Sequence, residues 1–181
     1  MPSRVARHPV FSALTLEDCW ALLQRNHVGR IAFLGHGMVD IEPVHYVAND
    51  AWVFVRSADG AKLEAFSHHP YIAFEVDEVD DLFDWRSVVA HGTVYLMSEP
   101  RGATERATFA RAVRALRSLI PTALGDDDPT PARTTVYGIH VDRITGRQAK
   151  PGPAASKRAA RPTPAPRPQR MHRRPRTPDG F

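Results

Sequence analysis

Six apolar segments recur between residues 28 and 146, most of them separated by turns too short to hold a helix. They are Val28 to Leu34, Met38 to Val47, Ala51 to Val55, Tyr71 to Asp77, Trp85 to Leu96 and Thr134 to Gly146. A parallel sheet would need a crossover helix between every neighbouring pair of strands, and this chain has too few. The spacing therefore predicts a mainly β fold, a small six-stranded antiparallel barrel with short flanking helices. Closure of the barrel would also hide the strand edges.

The punctuation agrees with strands running back and forth. Gly35-His36-Gly37 and Asn49-Asp50 read as reversals between strands, and the acidic stretch from Glu78 to Asp84 as another. Gly92, inside the longest strand, suggests a bulge or corner. Three short helices fill the remaining gaps. Residues 15–26 have Thr15 as a cap, Glu17 and Asp18 in the first turn, and Leu16, Trp20 and Leu23 at helical spacing. Residues 61–67 turn Leu63 and Phe66 inward and end before His68-His69-Pro70. Residues 103–119 carry Phe109, Val113, Leu116 and Ile120 on an apolar side, with Arg106, Arg111, Arg114 and Arg117 mostly outward.

Charge divides the chain in two. From Lys150 onward there are nine basic residues against Asp179 alone, a balance of +8, so the preceding residues carry −4 of the formal total of +4. Eight of the sixteen prolines also fall there, and large apolar side chains are nearly absent. Such a segment cannot bury enough surface to fold. The organisation expected is an N-terminal arm (1–11), a barrel domain (12–149) and a disordered basic Pro/Arg-rich tail (150–181). The tail reads first as a solubilising extension, with nonspecific attraction of polyanions as the alternative. No apolar run approaches the length of a bilayer span and no signal-like segment opens the chain, so a soluble cytoplasmic protein is expected. The single cysteine, Cys19, sits in the apolar pattern of Leu16, Trp20 and Leu23 and reads as a buried thiol. It excludes an intrachain disulfide.

The stretch most suggestive of chemistry is Arg56-Ser57-Ala58-Asp59-Gly60-Ala61-Lys62-Leu63, where a strand runs through a turn into a helix. Arg56 offers a planar fork of donors, Ser57 a hydroxyl and Lys62 a point charge. Asp59-Gly60 is read as a positive-φ turn that lets backbone amides face an anion. These residue types fit the phosphate of a cofactor. His68-His69 reads as a solvated helix end, and Asp77-Glu78-Val79-Asp80-Asp81 as a solvated turn that lacks the regular spacing of a calcium loop.

Five segments in this order resemble the pyridoxamine 5'-phosphate oxidase-related split-barrel flavoproteins. They are Val28 to Phe33, Pro43 to Tyr46, Arg56-Ser57 with Gly60 to Leu63, Phe74 to Asp77, and Trp85 to Val88 with Gly92. The resemblance spans about residues 12 to 146 and implies a six-stranded split barrel that forms a homodimer, with one flavin mononucleotide (FMN) in each of two intersubunit clefts. It further implies that Arg56, Ser57 and Lys62 hold the phosphate and that Leu63 packs beside the ligand. Val44 and His45 would lie along the isoalloxazine edge. Ser87 and Val88 would present hydroxyl and backbone groups from the strand after Trp85, and Trp85 would either stack on the flavin or close the core. The activity implied is oxidation or reduction of a small molecule; a deazaflavin-dependent reductase and a non-catalytic flavin-binding module are the alternatives. Counterparts of the additional basic residues and of the C-terminal arginine segment with which pyridoxamine-phosphate oxidases grip their substrate are not found. No catalytic acid or base is assigned, and none is required where the flavin performs the redox chemistry.

Overall fold

The computed structural model describes residues 8–97 and 102–152. His8–Gly152 form one compact unit. Its elements run β1 (Val10–Ala13), α1 (Leu16–Arg25), β2 (Val28–Gly35), β3 (Met38–Asn49), β4 (Trp52–Ser57), α2 (Ala61–His68), β5 (Tyr71–Asp81), β6 (Asp84–Leu96), α3 (Ala103–Leu119) and β7 (Thr135–Lys150). The strands are ordered β1-β7-β4-β3-β2-β5-β6, every pairing is antiparallel, and β6 also pairs with β7. That last pairing closes β2 to β7 into a six-stranded barrel. β1 is an addition laid against the final residues of β7, with Val10 opposite Lys150.

Local chemistry explains several boundaries. Thr15 caps α1 by accepting a hydrogen bond from the Asp18 amide at 3.1 Å. His36 and Gly37, both at positive φ (51° and 79°), make the two-residue β2–β3 turn, matching the twist of the strands they join. At Gly92 the β6–β7 register slips by one residue. A Cβ at this position would collide with the His140 carbonyl oxygen, so the bulge requires glycine.

Four expectations are corrected. β1 lies partly in the presumed arm; its four side chains are all exposed, so no alternation marks it in the sequence. β5 continues through Asp81 instead of turning at Glu78, because its acidic residues meet arginines on neighbouring elements, and the turn is Leu82-Phe83. β7 runs to Lys150, past Gly146. Arg111 turns inward, its guanidinium lying 6.0 Å from the Trp52 ring centroid and 5.6 Å from that of Phe54. The basic tail from residue 153 onward lies outside the described residues.

The barrel interior is filled by Ile31, Phe33, Tyr46, Val53, Val55, Phe74, Val88, Tyr137 and Ile139, joined by Cys19, Leu22 and Leu23 of α1 and Leu63 and Phe66 of α2. The Tyr46 hydroxyl donates to the Leu23 carbonyl at 2.8 Å, tying α1 to the barrel. Burial pushes the Cys19 thiol up from its ordinary pKa. A second, smaller cluster of Phe54, Met97, Ala112, Leu116 and Val136 lies between α3 and the opposite face of β4 and β7.

Candidate functional site

The end of β4 is where the two phosphate-seeking residues of the motif part company. Successive strand residues point to opposite faces. Ser57 shares a face with Val53 and Val55 of the barrel core, whereas Arg56 shares one with Phe54 and is paired across the ladder with Val136, in the smaller cluster. There Arg56 is sealed in, its side chain 5% exposed and that of Asp128 3%. Its Nη1 contacts Asp128 Oδ2, while Nη2 donates to Asp128 Oδ1 at 2.9 Å and to Thr130 Oγ1 at 2.7 Å. The Asp128 carboxylate also accepts from the Leu124 and Thr130 amides, each at 2.8 Å. The Arg56 hydrogen bond, reinforced by those amides, holds Asp128 well below the usual carboxylate range.

The rest of the motif lies on the other side of that division. Lys62 is half-buried, and its Nζ donates to Glu42 Oε2 at 2.7 Å. Asp59 accepts from the Thr135 hydroxyl at 2.7 Å, which joins the β4–α2 turn to the start of β7. Gly60 adopts extended backbone (φ 164°, ψ −176°) instead of the expected left-handed turn, and as the residue before α2 it gives its carbonyl to the Leu63 amide. No side chain caps α2; the Leu63 and Glu64 amides donate to the Gly60 carbonyl, which leaves those of Ala61 and Lys62 as donors to offer. A Cβ on Gly60 would meet nothing within 4 Å, so the approach to those amides is open. Uncapped amides, a lysine and a hydroxyl at an open turn are a donor set suited to a phosphate.

Val44 and Leu63 are buried in the core and Val88 is fully so. His45 is exposed on the outer sheet face, opposite Val28 of β2. Its Nδ1 receives a long hydrogen bond, 3.4 Å, from Nη1 of Arg133, which calls for the tautomer with hydrogen on Nε2. Trp85 and Ser87 share that outer face but stand on β6, three strands away from His45. At the usual strand spacing this is about 14 Å. They line a depression of about 380 Å³ with Arg30, Glu75, Asp77 and Arg86. Within it the Ser87 hydroxyl donates to Glu75 at 2.9 Å, and Arg30 bridges Glu75 and Asp77. Trp85 leans on Phe11 of β1, the ring centroids 6.3 Å apart.

The expected site residues thus fall into three groups: Ser57 and Lys62 at the β4–α2 turn, His45 on the outer face beside Arg133, and Trp85 and Ser87 further across the sheet. Sequence reasoning missed Asp128, Thr130 and Arg133. The first two are marked by no local pattern, since they lie more than 70 residues from the arginine they bind. On that outer face β2 and β3 carry exposed apolar side chains: Val39 is 71% and Ile41 63% exposed, and Val28 and Leu34 are also exposed. A separate hollow, also of about 380 Å³, lies beside the opposite end of β4, floored by Trp52, Tyr95 and His140 and walled by α3.

A family model described as pyridoxamine 5'-phosphate oxidase matches residues 15–148, from the cap of α1 nearly to the end of β7. The chain belongs to the pyridoxamine 5'-phosphate oxidase family. Among curated proteins none matches it. A FAD-binding protein from Mesorhizobium loti shares the fold with a TM-score of 0.62 at 23% identity, over 78% of this chain and 99% of that one. The FAD-binding protein of Mycobacterium smegmatis does so with a TM-score of 0.54 at 24% identity, over 76% and 99%. At these identities the likeness is one of fold. A conserved protein of unknown function from Corynebacterium diphtheriae is similar at 26% identity with a TM-score of 0.55, over 76% of this chain and 97% of that one. Among the described residues no helix is long and apolar enough to cross a membrane.

Proposed function

We propose that this chain is a homodimeric flavin-binding oxidoreductase acting on a small organic molecule, with FMN as its cofactor. The observation that carries the reading is the family match across the whole barrel. The open, uncapped start of α2 beside Ser57 and Lys62 supports it, since a phosphate monoester is close to a dianion at neutral pH and gains charge-assisted hydrogen bonds from such donors. Two similar structures are FAD-binding proteins, and FAD contains the same riboflavin phosphate, so the same cradle suits either flavin.

When bound, the flavin supplies the redox chemistry. The chain's own residues bind and orient it: Ser57, Lys62 and the α2 amides at the phosphate, His45 and the Val44 backbone along the ring. Arg56 and Leu63 support this end from within the core. The exposed apolar face of β2 and β3 is the surface we assign to the second copy, against which the half-site of Trp85, Ser87 and the Val88 backbone completes a cleft.

The test is a titration of purified protein with FMN, followed by flavin fluorescence and the absorption spectrum, together with the mass in solution. Stoichiometric quenching by a dimer is expected, and the photoreduced complex should pass electrons to oxygen, a quinone or a nitroaromatic. Protein that stays colourless in excess FMN would refute the flavin reading. Preferential binding of a deazaflavin would replace FMN with that cofactor.

A further inference from the structure

We infer that Arg133, and not Arg56, is the guanidinium that grips the flavin phosphate, while Arg56 acts as the positioning residue that holds Arg133 in place. This rests on the flavin reading above.

Arg56 is committed to a buried pair. Both of its terminal nitrogens are bound to Asp128, one also to Thr130, and the pair is shut away from solvent. Drawing it out to a ligand would leave Asp128 charged, buried and without its counterion, the costliest state such a pair can reach. Several other cations of the barrel are matched to acids: Lys62 with Glu42, Arg30 with Glu75 and Asp77, Arg25 and Arg86 with Glu78, and Arg111 with Asp50.

Arg133 is different. It is half-buried, and among the described residues its guanidinium meets no carboxylate, only the ring of His45. The surrounding bonds aim it at the motif. The Arg133 amide donates to the Thr130 carbonyl at 3.0 Å, closing a turn whose first residue is the one bound by Arg56 and Asp128. Two residues further on, Thr135 pairs with Ser57 in the sheet and donates to Asp59. The buried knot thus anchors one side of the turn and the Ser57–Asp59 corner the other. The backbone of Arg133 is fixed between them, and its guanidinium, with no carboxylate partner, reaches His45. Arginine presents two parallel donors, which suits a phosphate better than a point charge does.

The experiment compares FMN with riboflavin, which lacks the phosphate, by fluorescence titration of wild-type protein, R133A, R133K and R56M, with thermal unfolding recorded for each. R133A should bind FMN about tenfold or more weakly and riboflavin as wild type does, with an unchanged unfolding midpoint. R133K should recover only part of the loss. R56M should unfold at lower temperature and, where still folded, lose FMN preference through the displaced turn. An R133A protein with the wild-type ratio of FMN to riboflavin affinity would overturn the inference while leaving the flavin reading intact. Wild-type protein that binds neither flavin would overturn both.

Discussion

Two arginine networks in this barrel are built from the same groups and do opposite work. Arg56, Asp128 and Thr130 lie sealed behind β4, whereas Arg25, Glu78 and Arg86 form an ion-pair cluster across α1, β5 and β6 with their side chains 24–45% exposed. In the first, water is excluded and every oxygen of the carboxylate has a protein donor, so neither partner can leave without stranding the other. In the second, water and salt can replace any one contact at little cost. Both clusters pull their acids below the ordinary range. Glu78 is held down to about 2, chiefly by its bond to Arg25, with Asn26 adding a second donor. Location, more than the strength of the contact, decides which of them is a structural strut.

Substitutions should separate the two. R56M is expected to lower the unfolding midpoint by about 10 °C, and R56M/D128L to recover part of that, because an apolar pair leaves no buried charge unmatched. A double variant less stable than either single one would show that the knot is held by its amide bonds more than by its charges. Acid titration probes the same contrast. A carboxylate with a depressed folded pKa stabilises the protein above its unfolded value and loses that contribution as pH falls. Glu78's share is therefore fully present above about 4.5 and drains away towards about 2, while Asp128's persists to lower pH. Unfolding midpoints measured from pH 6 down to pH 2 should fall less steeply below 4.5 in E78Q than in wild type; parallel curves would assign the acid sensitivity elsewhere. At pH 7, E78Q itself should cost about 2 °C or less. The smallest effect concerns Cys19, whose buried, raised-pKa thiol should resist a thiol reagent until the protein is unfolded.

The contrast also explains what the sequence makes legible. The Thr15 cap, the His36-Gly37 hairpin and the Gly92 bulge are local features, each set by a residue and its immediate neighbours, and the strand spacing is enough to indicate a closed barrel. The family and the location of the Ser57–Lys62 turn could be read for the same reason. Three things could not. Arg56 and Ser57 look like one phosphate clamp when read in line, yet adjacent strand residues face opposite ways, and only the packing of α3 shows which face is buried. The acidic end of β5 has the composition of a turn, and long-range arginines make it a strand. Arg133 sits among prolines and threonines with nothing local to distinguish it; what sets it apart is its contact with His45, 88 residues away in the chain, beside the turn that the Arg56–Asp128 pair anchors.

β7 pairs with β4, with β6 and with β1, more partners than any other strand. Because it is also the last element of the barrel, none of those three ladders can form until residues 135–150 have been synthesised. Until then β4 and β6 present bare edges, which are templates for pairing with other chains. β7 also joins segments far apart in sequence, pairing with Trp52 through His140 and with Val10 through Lys150, which makes for slow folding. The nascent chain therefore passes through an aggregation-exposed interval that ends only when its final strand arrives.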